Sequence, residues 1–303
     1  MIKFYEKRYI YFAISLAIFV IGIASIFING IKLDISFSGG AILKYTYENN
    51  IDAAAVETTV RNTLSREVNV QTTKDVATGV NKLSISLAGN QSLTPEQQEK
   101  LDTALKQEFK DNNLSLSESN MVEPFIGKRF LNRGILAIAL SSVLIVLYVW
   151  FRFKKISSGP SAGVMALIAL FHDCFVVFCA FVIFRLPINE SFIAIILTIL
   201  GFSVNDTIVI YDRIRENAPL KQKLGVAAVV NKSITQSITR SINTTLATIA
   251  SMLMLCIFAY AYGIQSIVIF SLPMIIGLIS GSYSTICIAG PLWVMWEKHK
   301  GIK

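Results

Sequence analysis

"GFSVNDTIVIYDRIREN", residues 201–217, begins inside a run as oily as a membrane span and then places an acid in it. Between Ser191 and Ile210 the sole ionisable side chain is Asp206. A carboxylate at the centre of a membrane helix costs about 2.5–3.5 kcal/mol on insertion scales, and such groups usually face a bundle interior and mark ion routes. The stretch therefore poses two questions: whether the chain is a membrane protein, and what tolerates the acid.

Composition answers the first. Of 303 residues, 53% are hydrophobic and 16% charged, with mean hydropathy +0.56. Soluble domains carry about 25% charged residues. Six apolar runs follow in order: Ile10–Ile28, Ile135–Phe151, Ala162–Phe184, Ser191–Ile210, Ile242–Tyr260 and Ile264–Trp293. Each is near the ~20 residues a helix needs to cross a bilayer. The last is long enough to tilt or to break near Pro273. The first exceeds the apolar core of a signal peptide, usually about 7–15 residues, and no clean cleavage pattern follows it, so it reads as a retained span.

The net charge of +8 could suggest nucleic acid, but the cations are sorted by topology. Lys3, Lys7 and Arg8 precede the first span, "RFKK" (152–155) joins the second and third, and "YDRIRENAPLKQK" (211–223) with Lys232 and Arg240 joins the fourth and fifth. Lys298, Lys300 and Lys303 end the sequence. All fall on one side, with the short connections "RLPINE" (185–190) and "AYG" (261–263) on the other. By the positive-inside rule both termini are cytoplasmic. Lys128, Arg129 and Arg133 oppose the rule, but they border a long loop, which translocates largely regardless of charge.

That loop is polar. "AILKYTYE" (41–48) alternates as a strand, and "DAAAVETTVRNTL" (52–64) is helix-like, with Ala54, Val56, Val60 and Leu64 along one stripe. "VNVQTT" (68–73) and "KLSISLA" (82–88) alternate again. "SLTPEQQEKLDTALKQEF" (92–109) opens a helix with Thr94 as N-cap, Pro95 at the first position and Gln97 three residues after the cap. "NLSLSESNMV" (113–122) closes as a strand. The order β-α-β-β-α-β is that of a ferredoxin-like, split βαβ α+β domain. The fold class expected is an α-helical membrane protein of six transmembrane helices with this extracytoplasmic domain between helices 1 and 2. The divisions are residues 1–29, 30–130 and 131–303. The loop has neither His nor Cys, and nothing in it reads as catalytic.

Candidate functional residues sit elsewhere. His172-Asp173 falls near the middle of the third span and reads either as part of an ion route or as a helix-packing polar pair. Asn205 and Thr207 flank Asp206. Arg240, in "SITRSINTT" (237–245), opens the fifth span. It reads as a positive-inside flank or as a partner for Asp206: a guanidinium nearby would favour the charged carboxylate, while burial favours the neutral acid. In "LDISFSGG" (33–40), Asp34 and Gly39-Gly40 mark either a plain turn or a junction coupling the first span to the outer domain. Asp212, Arg213, Arg215 and Glu216 read as a solvated helix end. "PLKQKLGVAAVVNKSITQSI" (219–238) reads as an amphipathic helix along the inner face or as a linker. Gly277 and Gly281 form a single G-x-x-x-G, which permits close helix approach. Cys174, Cys179, Cys256 and Cys287 all lie in spans without metal-site spacing. Phosphate-loop, zinc-protease and serine-hydrolase motifs are absent, so neither a nucleotide, a cofactor nor a metal is expected, and the chain reads as a transport component, not an enzyme.

Several of these stretches resemble one family. "GFSVNDTIVIYDRIREN" is similar to the fourth-span signature of SecF subunits of the bacterial Sec protein-export system. "NKSITQSITRSINTT" (231–245) resembles their fifth-span entry, "FHD" (171–173) fits the third, and "LDISFSGG" loosely matches the junction. The resemblance covers essentially the whole chain and places it in the resistance-nodulation-division superfamily. It implies a multi-pass protein of the bacterial cytoplasmic membrane that pairs with SecD. Its other partners would be the SecYEG channel, SecA, a YajC-type accessory subunit, the translocating preprotein and the lipid bilayer, with no nucleic acid. It implies use of the proton gradient late in export, protons being the coupling ion. It assigns proton conduction to Asp206 and Arg240, with Asn205, Thr207, His172 and Asp173 as the surrounding pathway. An exporter of lipids or small molecules from the same superfamily is the alternative. An intramembrane aspartyl protease built on Asp173 and Asp206 is a further one, against which the missing G-x-G-D spacing speaks.

Overall fold

The structure, a computed structural model, describes residues 2–34, 37, 39–66, 68–74, 79–88, 93–122, 124–153, 159–262 and 264–301. Among them six helical stretches are long and apolar enough to cross a membrane: Arg8–Asn29, Gly127–Phe153, Ser161–Ile183, Glu190–Leu224, Val226–Ala261 and Ser266–His299. The third, fourth and sixth are the most buried and form the centre of the bundle, while the first, second and fifth flank it. Lys154, Lys155, Gly263 and Lys303, all used in the charge argument, lie outside the described residues.

Two of the helices depart from the sequence reading. The fourth continues without a break through Asp212–Glu216 to Asn217, and the fifth starts at Val226, far ahead of Ile242. A single helical turn, Lys221–Leu224, precedes the fifth helix, and the rest of the stretch read as an amphipathic helix, from Val226 on, belongs to the fifth helix itself. Val226, Val229, Val230, Ser233, Ile234 and Ser237 are buried along one face of the same continuous helix. That face packs on the prolonged fourth helix, where the Asn217 amide donates to Ser233 Oγ (2.9 Å) and Gln236 Oε1 (2.8 Å). Gly225, at φ +78°, makes the turn between them. The sixth span does not break at Pro273, which sits inside the helix Gln265–Ser284. A missing N–H is tolerated in a membrane helix packed among neighbours. The irregularity falls instead at Thr285–Ala289, a π-helical turn.

Small residues let the central helices touch. A Cβ on Gly277 would run into the Ile199 side chain and stand 2.9 Å from Val177 Cγ2, and one on Gly281 would meet Ser203 Cβ at 3.4 Å. The G-x-x-x-G stripe thus brings the sixth span against the third and fourth.

Residues 40–122 build a four-stranded sheet of β1 (Gly40–Tyr47), β2 (Val68–Lys74), β3 (Asn81–Ala88) and β4 (Ser115–Val122), in the order β2-β3-β1-β4 and antiparallel throughout. Alternation sends Ala41, Leu43 and Tyr45 of β1 and Leu83, Ile85 and Leu87 of β3 to one face. The helices Ala53–Leu64 and Pro95–Glu108 supply Val56, Val60, Leu101 and Leu105 to the same core. Ala54, expected on that stripe, is exposed, since a 3.6-residue period carries it off the line through Val56 and Val60. Asp52 caps the first of these helices by accepting from the Ala54 N–H (2.9 Å). Thr94 and Gln97 form a reciprocal capping box on the second. Tyr45 is fully buried beside Asp102, and burial first, then that carboxylate, pushes its hydroxyl far above the usual tyrosine range.

This core is separate from that of the membrane helices. Residues 38–122 expressed alone are therefore expected to fold, with a cooperative thermal melt followed by circular dichroism. Ile85→Ala, a truncation at a fully buried site, should lower that isolated stability by about 2–5 kcal/mol. A featureless spectrum without a melt would refute the independence of this core.

Candidate functional site

Asp173 lies in the third span and is 0% exposed. An unpaired ion there would be prohibitive, and the bundle answers with hydroxyls. Ser203 of the fourth span donates to Asp173 Oδ2 (2.8 Å), and Ser284 of the sixth donates to the same oxygen (2.7 Å). Ser280, one turn before Ser284, donates to Oδ1 (2.7 Å), and His172 Nδ1 lies 3.2 Å from that oxygen. Both oxygens are committed, and three spans are tied together. The His172 ring stacks on Phe19 of the first span (centroids 5.3 Å apart) and lies 6.0 Å from the Tyr283 ring, which brings in a fourth. Its Nε2 is buried without a partner among the described residues.

Asp206 is held differently. It is 3% exposed, on the fourth span one turn beyond Ser203. The Ser241 hydroxyl of the fifth span lies within hydrogen-bonding reach of its carboxyl, and Arg240 acts on it through its charge. Yet no ion pair joins Asp206 to Arg240 among the described residues, and Arg240 itself is exposed on the flank of the bundle. Asn205 is exposed too. Thr207 is buried, but its hydroxyl donates to the Ser203 carbonyl (2.9 Å) and lies 3.2 Å from Thr285 Oγ1. Helix phase turns Asn205 outward, the preceding turn engages Thr207, and Arg240 sits beside the acid instead of on it. The hydroxyl of Thr245, one turn beyond Ser241 on the fifth span, is buried and has no partner among the described residues.

The junction after the first span is built into the membrane part. The Asp34 N–H donates to the Ile188 carbonyl (3.0 Å), the Ile188 N–H donates to the Lys32 carbonyl (2.9 Å), and Leu33 and Ile188 form a parallel bridge. This connection links the start of the sheet to the segment between the third and fourth spans. Phe37 is buried, and a Cβ on Gly127, at the start of the second span, would stand 2.9 Å from its carbonyl oxygen. Gly39 and Gly40 turn the chain into β1 at φ +77° and +145°, conformations that favour glycine. Ile35, Ser36 and Ser38 lie outside the described residues.

Sequence reasoning missed Ser203, Ser280, Ser284 and Thr285. The available sign was a pair of serines four residues apart in an apolar span, a spacing that puts both on one helix face. It missed as well the links at the other end of the bundle: Arg152 with Asp212 (2.7 Å), Arg215 with Asp212 (2.9 Å), and Lys221 with the fully buried Glu297 (3.2 Å).

Comparison with known proteins adds lineage to this geometry. Residues 101–299 match the sequence model of a family described as "Protein export membrane protein SecD/SecF, C-terminal". The chain is 34% identical to a protein translocase subunit SecF of Thermobaculum terrenum, over 98% of this chain and 94% of that one. It is 31% identical to one of Anaerolinea thermophila, with the same coverage. A crystal structure of SecDF from Thermus thermophilus, titled a translocon-associated membrane protein, superposes with a TM-score of 0.80 at 27% identity. That match covers 98% of this chain and 39% of the longer SecDF chain.

Proposed function

Since the chain belongs to the SecD/SecF family of protein-export membrane proteins, as a SecF-like subunit, we propose that it pairs with a SecD-type subunit and uses the proton gradient, through Asp206, to assist the late stage of export through the Sec channel. The observation that supports Asp206 as the proton carrier is its contrast with Asp173. A carboxyl that gains and loses protons needs an oxygen not already committed to fixed donors. Asp173 has both oxygens occupied by three serines and an imidazole; Asp206 is buried and reached by the Ser241 hydroxyl and the charge of Arg240, so fewer donors hold it. Asp173 then works as the fixed post around which the third, fourth and sixth spans are registered.

Pairing rests on the flank of the bundle. Asn205, Arg240, Asn243 and Thr244 are exposed there on helices that cross the membrane. Polar groups at that depth are costly against lipid, and a second set of membrane helices would cover them. The SecDF relatives, in which a region like this chain is part of a longer protein, favour SecD as that second set. The SecYEG channel, SecA, a YajC-type subunit and the emerging preprotein complete the proposed assembly, with protons as the coupling ion. Copurification in mild detergent tests it: a SecD-type protein at one to one is expected, and a homo-trimer would overturn the pairing in favour of an exporter.

In this arrangement the sheet domain, whose β-α-β-β-α-β order fits a ferredoxin-like fold, lies outside the cytoplasmic membrane of a bacterium, and both termini lie inside. A reporter fused near residue 91 should then read the outer side and one near Lys223 the cytoplasm. A cytoplasmic readout at residue 91 would invert the topology and, with it, the direction of proton entry.

A further inference from the structure

Where the N-terminal segment meets the end of the sixth span, two cations gather on one aromatic ring. The Arg8 guanidinium carbon lies 4.3 Å from the centroid of Tyr5 and 4.3 Å from that of Tyr9. Lys298 Nζ lies 4.5 Å from the same Tyr5 centroid, and Lys300 Nζ stands 5.3 Å over the Trp296 ring. Cation–π attraction favours each contact singly, but bringing like charges together opposes the set. Among the described residues no carboxylate pairs with Arg8, Lys298 or Lys300. The acids close in sequence are engaged elsewhere: Glu6 accepts from the Asn231 amide (2.9 Å), and Glu297 pairs with Lys221.

Arg8 also has an unmet donor. Its Nη1 donates to the Tyr5 carbonyl (3.1 Å) and its Nη2 to the Tyr9 hydroxyl (3.1 Å), while the buried Nε–H has no partner among the described residues. Leaving a buried donor unmade is costly. The site is preformed by distant segments. The N–H of Ile2 donates to Thr235 Oγ1 (3.3 Å), that of Tyr5 donates to Asn231 Oδ1 (3.0 Å), and Phe4 is buried against the bundle.

Its level in the membrane identifies the kind of group that suits it. Arg8 opens the first span, Lys298 lies in the last turn of the sixth and Lys300 caps it, and Tyr9 and Trp296 are exposed as interfacial aromatics are. Basic pockets between spans at the membrane surface hold anionic headgroups. Phosphate oxygens suit a guanidinium and can lie between several cations. We propose that the cluster of Tyr5, Arg8, Tyr9, Trp296, Lys298 and Lys300 binds the phosphate of an anionic phospholipid headgroup. The positive-inside rule accounts for cations on this face of the membrane, but not for their convergence on one ring.

The test uses the full-length protein in detergent, with lipid binding read by native mass spectrometry and thermal protection read in parallel. Phosphatidylglycerol is expected to bind at least fivefold more tightly than phosphatidylcholine. Arg8→Gln with Lys298→Gln should reduce that ratio to near one, whereas Lys128→Gln with Arg133→Gln, on the second span, should leave it intact. Equal retention of the two lipids by the wild type would overturn the proposal, whether or not the double variant folds. So would an undiminished preference in a folded Arg8→Gln/Lys298→Gln protein. Millimolar inorganic phosphate should protect less than the lipid; equal protection would replace the lipid with a free anion and overturn the assignment.

Discussion

Asp206→Asn is expected to halt gradient-driven release of an exported protein while the variant accumulates normally and still binds its SecD-type partner. The amide keeps the size and most of the hydrogen bonding of the acid but has no proton to exchange. A positioned proton-transfer group is typically worth about 10²–10⁴-fold, so release should fall by about tenfold or more. Arg240→Lys should also impair it. Lysine keeps the charge that a positive-inside flank requires but loses the planar fork that matches a carboxylate. Arg240 is exposed and beside Asp206 in this conformation, so its effect would come from an approach made in another state of the cycle. The measurement is release of a preprotein from inverted vesicles reconstituted with SecD and each variant. Wild-type release by Asp206→Asn at normal protein level would end the proton role of Asp206 and leave the family membership untouched.

Asp173→Ala is expected to act on stability first. It strands three serine hydroxyls and an imidazole in a fully buried site. Unsatisfied buried groups cost about 1–3 kcal/mol each, and serines that relax toward their own helix carbonyls recover part of that. A net loss of about 3 kcal/mol would lower the melting temperature by roughly 6–12 °C on the scale of soluble proteins of similar size. Ser280→Ala, removing one donor of four, should cost about 1 kcal/mol, and Asp206→Asn should scarcely move the melt. A detergent-solubilised Asp173→Ala protein melting within about 2 °C of wild type would refute the post.

The six spans, the alternating strands and the Thr94–Gln97 cap were readable because each is a local pattern: hydropathy over ~20 residues, a period of two, a spacing of three. Asp206 was readable because one acid in an apolar run stands out by itself. What holds the other acid was not. Ser203, Ser280 and Ser284 are ordinary in composition and meet Asp173 only because three helices pack in one rotational phase, which the Gly277–Gly281 stripe and the π-helical turn help to set. The early start of the fifth helix was hidden for a similar reason. Residues 226–241 are too polar to pass as a span, and their buried stripe has meaning only against the prolonged fourth helix. For Arg240, the sequence suggested charge complementarity, but complementarity specifies no distance.

The π-helical turn at Thr285–Ala289 has a consequence for insertions and deletions. Such a turn is one residue more than an α-helix would use for the same rise, so it behaves as a reading-frame correction written in the backbone. Each α-helical residue advances the azimuth by about 100°. Before the turn, the sixth span shows Ser280 and Ser284 to Asp173; after it, Trp293 Nε1 donates to Ser161 Oγ (3.2 Å) and Glu297 meets Lys221. Deleting one residue within 285–289 would restore regular α geometry and leave each half of the helix locally sound. The two halves would then keep nearly their present phase, whereas deleting one residue elsewhere in the sixth span, where no extra residue is held, would rotate the serines by about 100° away from the Trp293–Glu297 face.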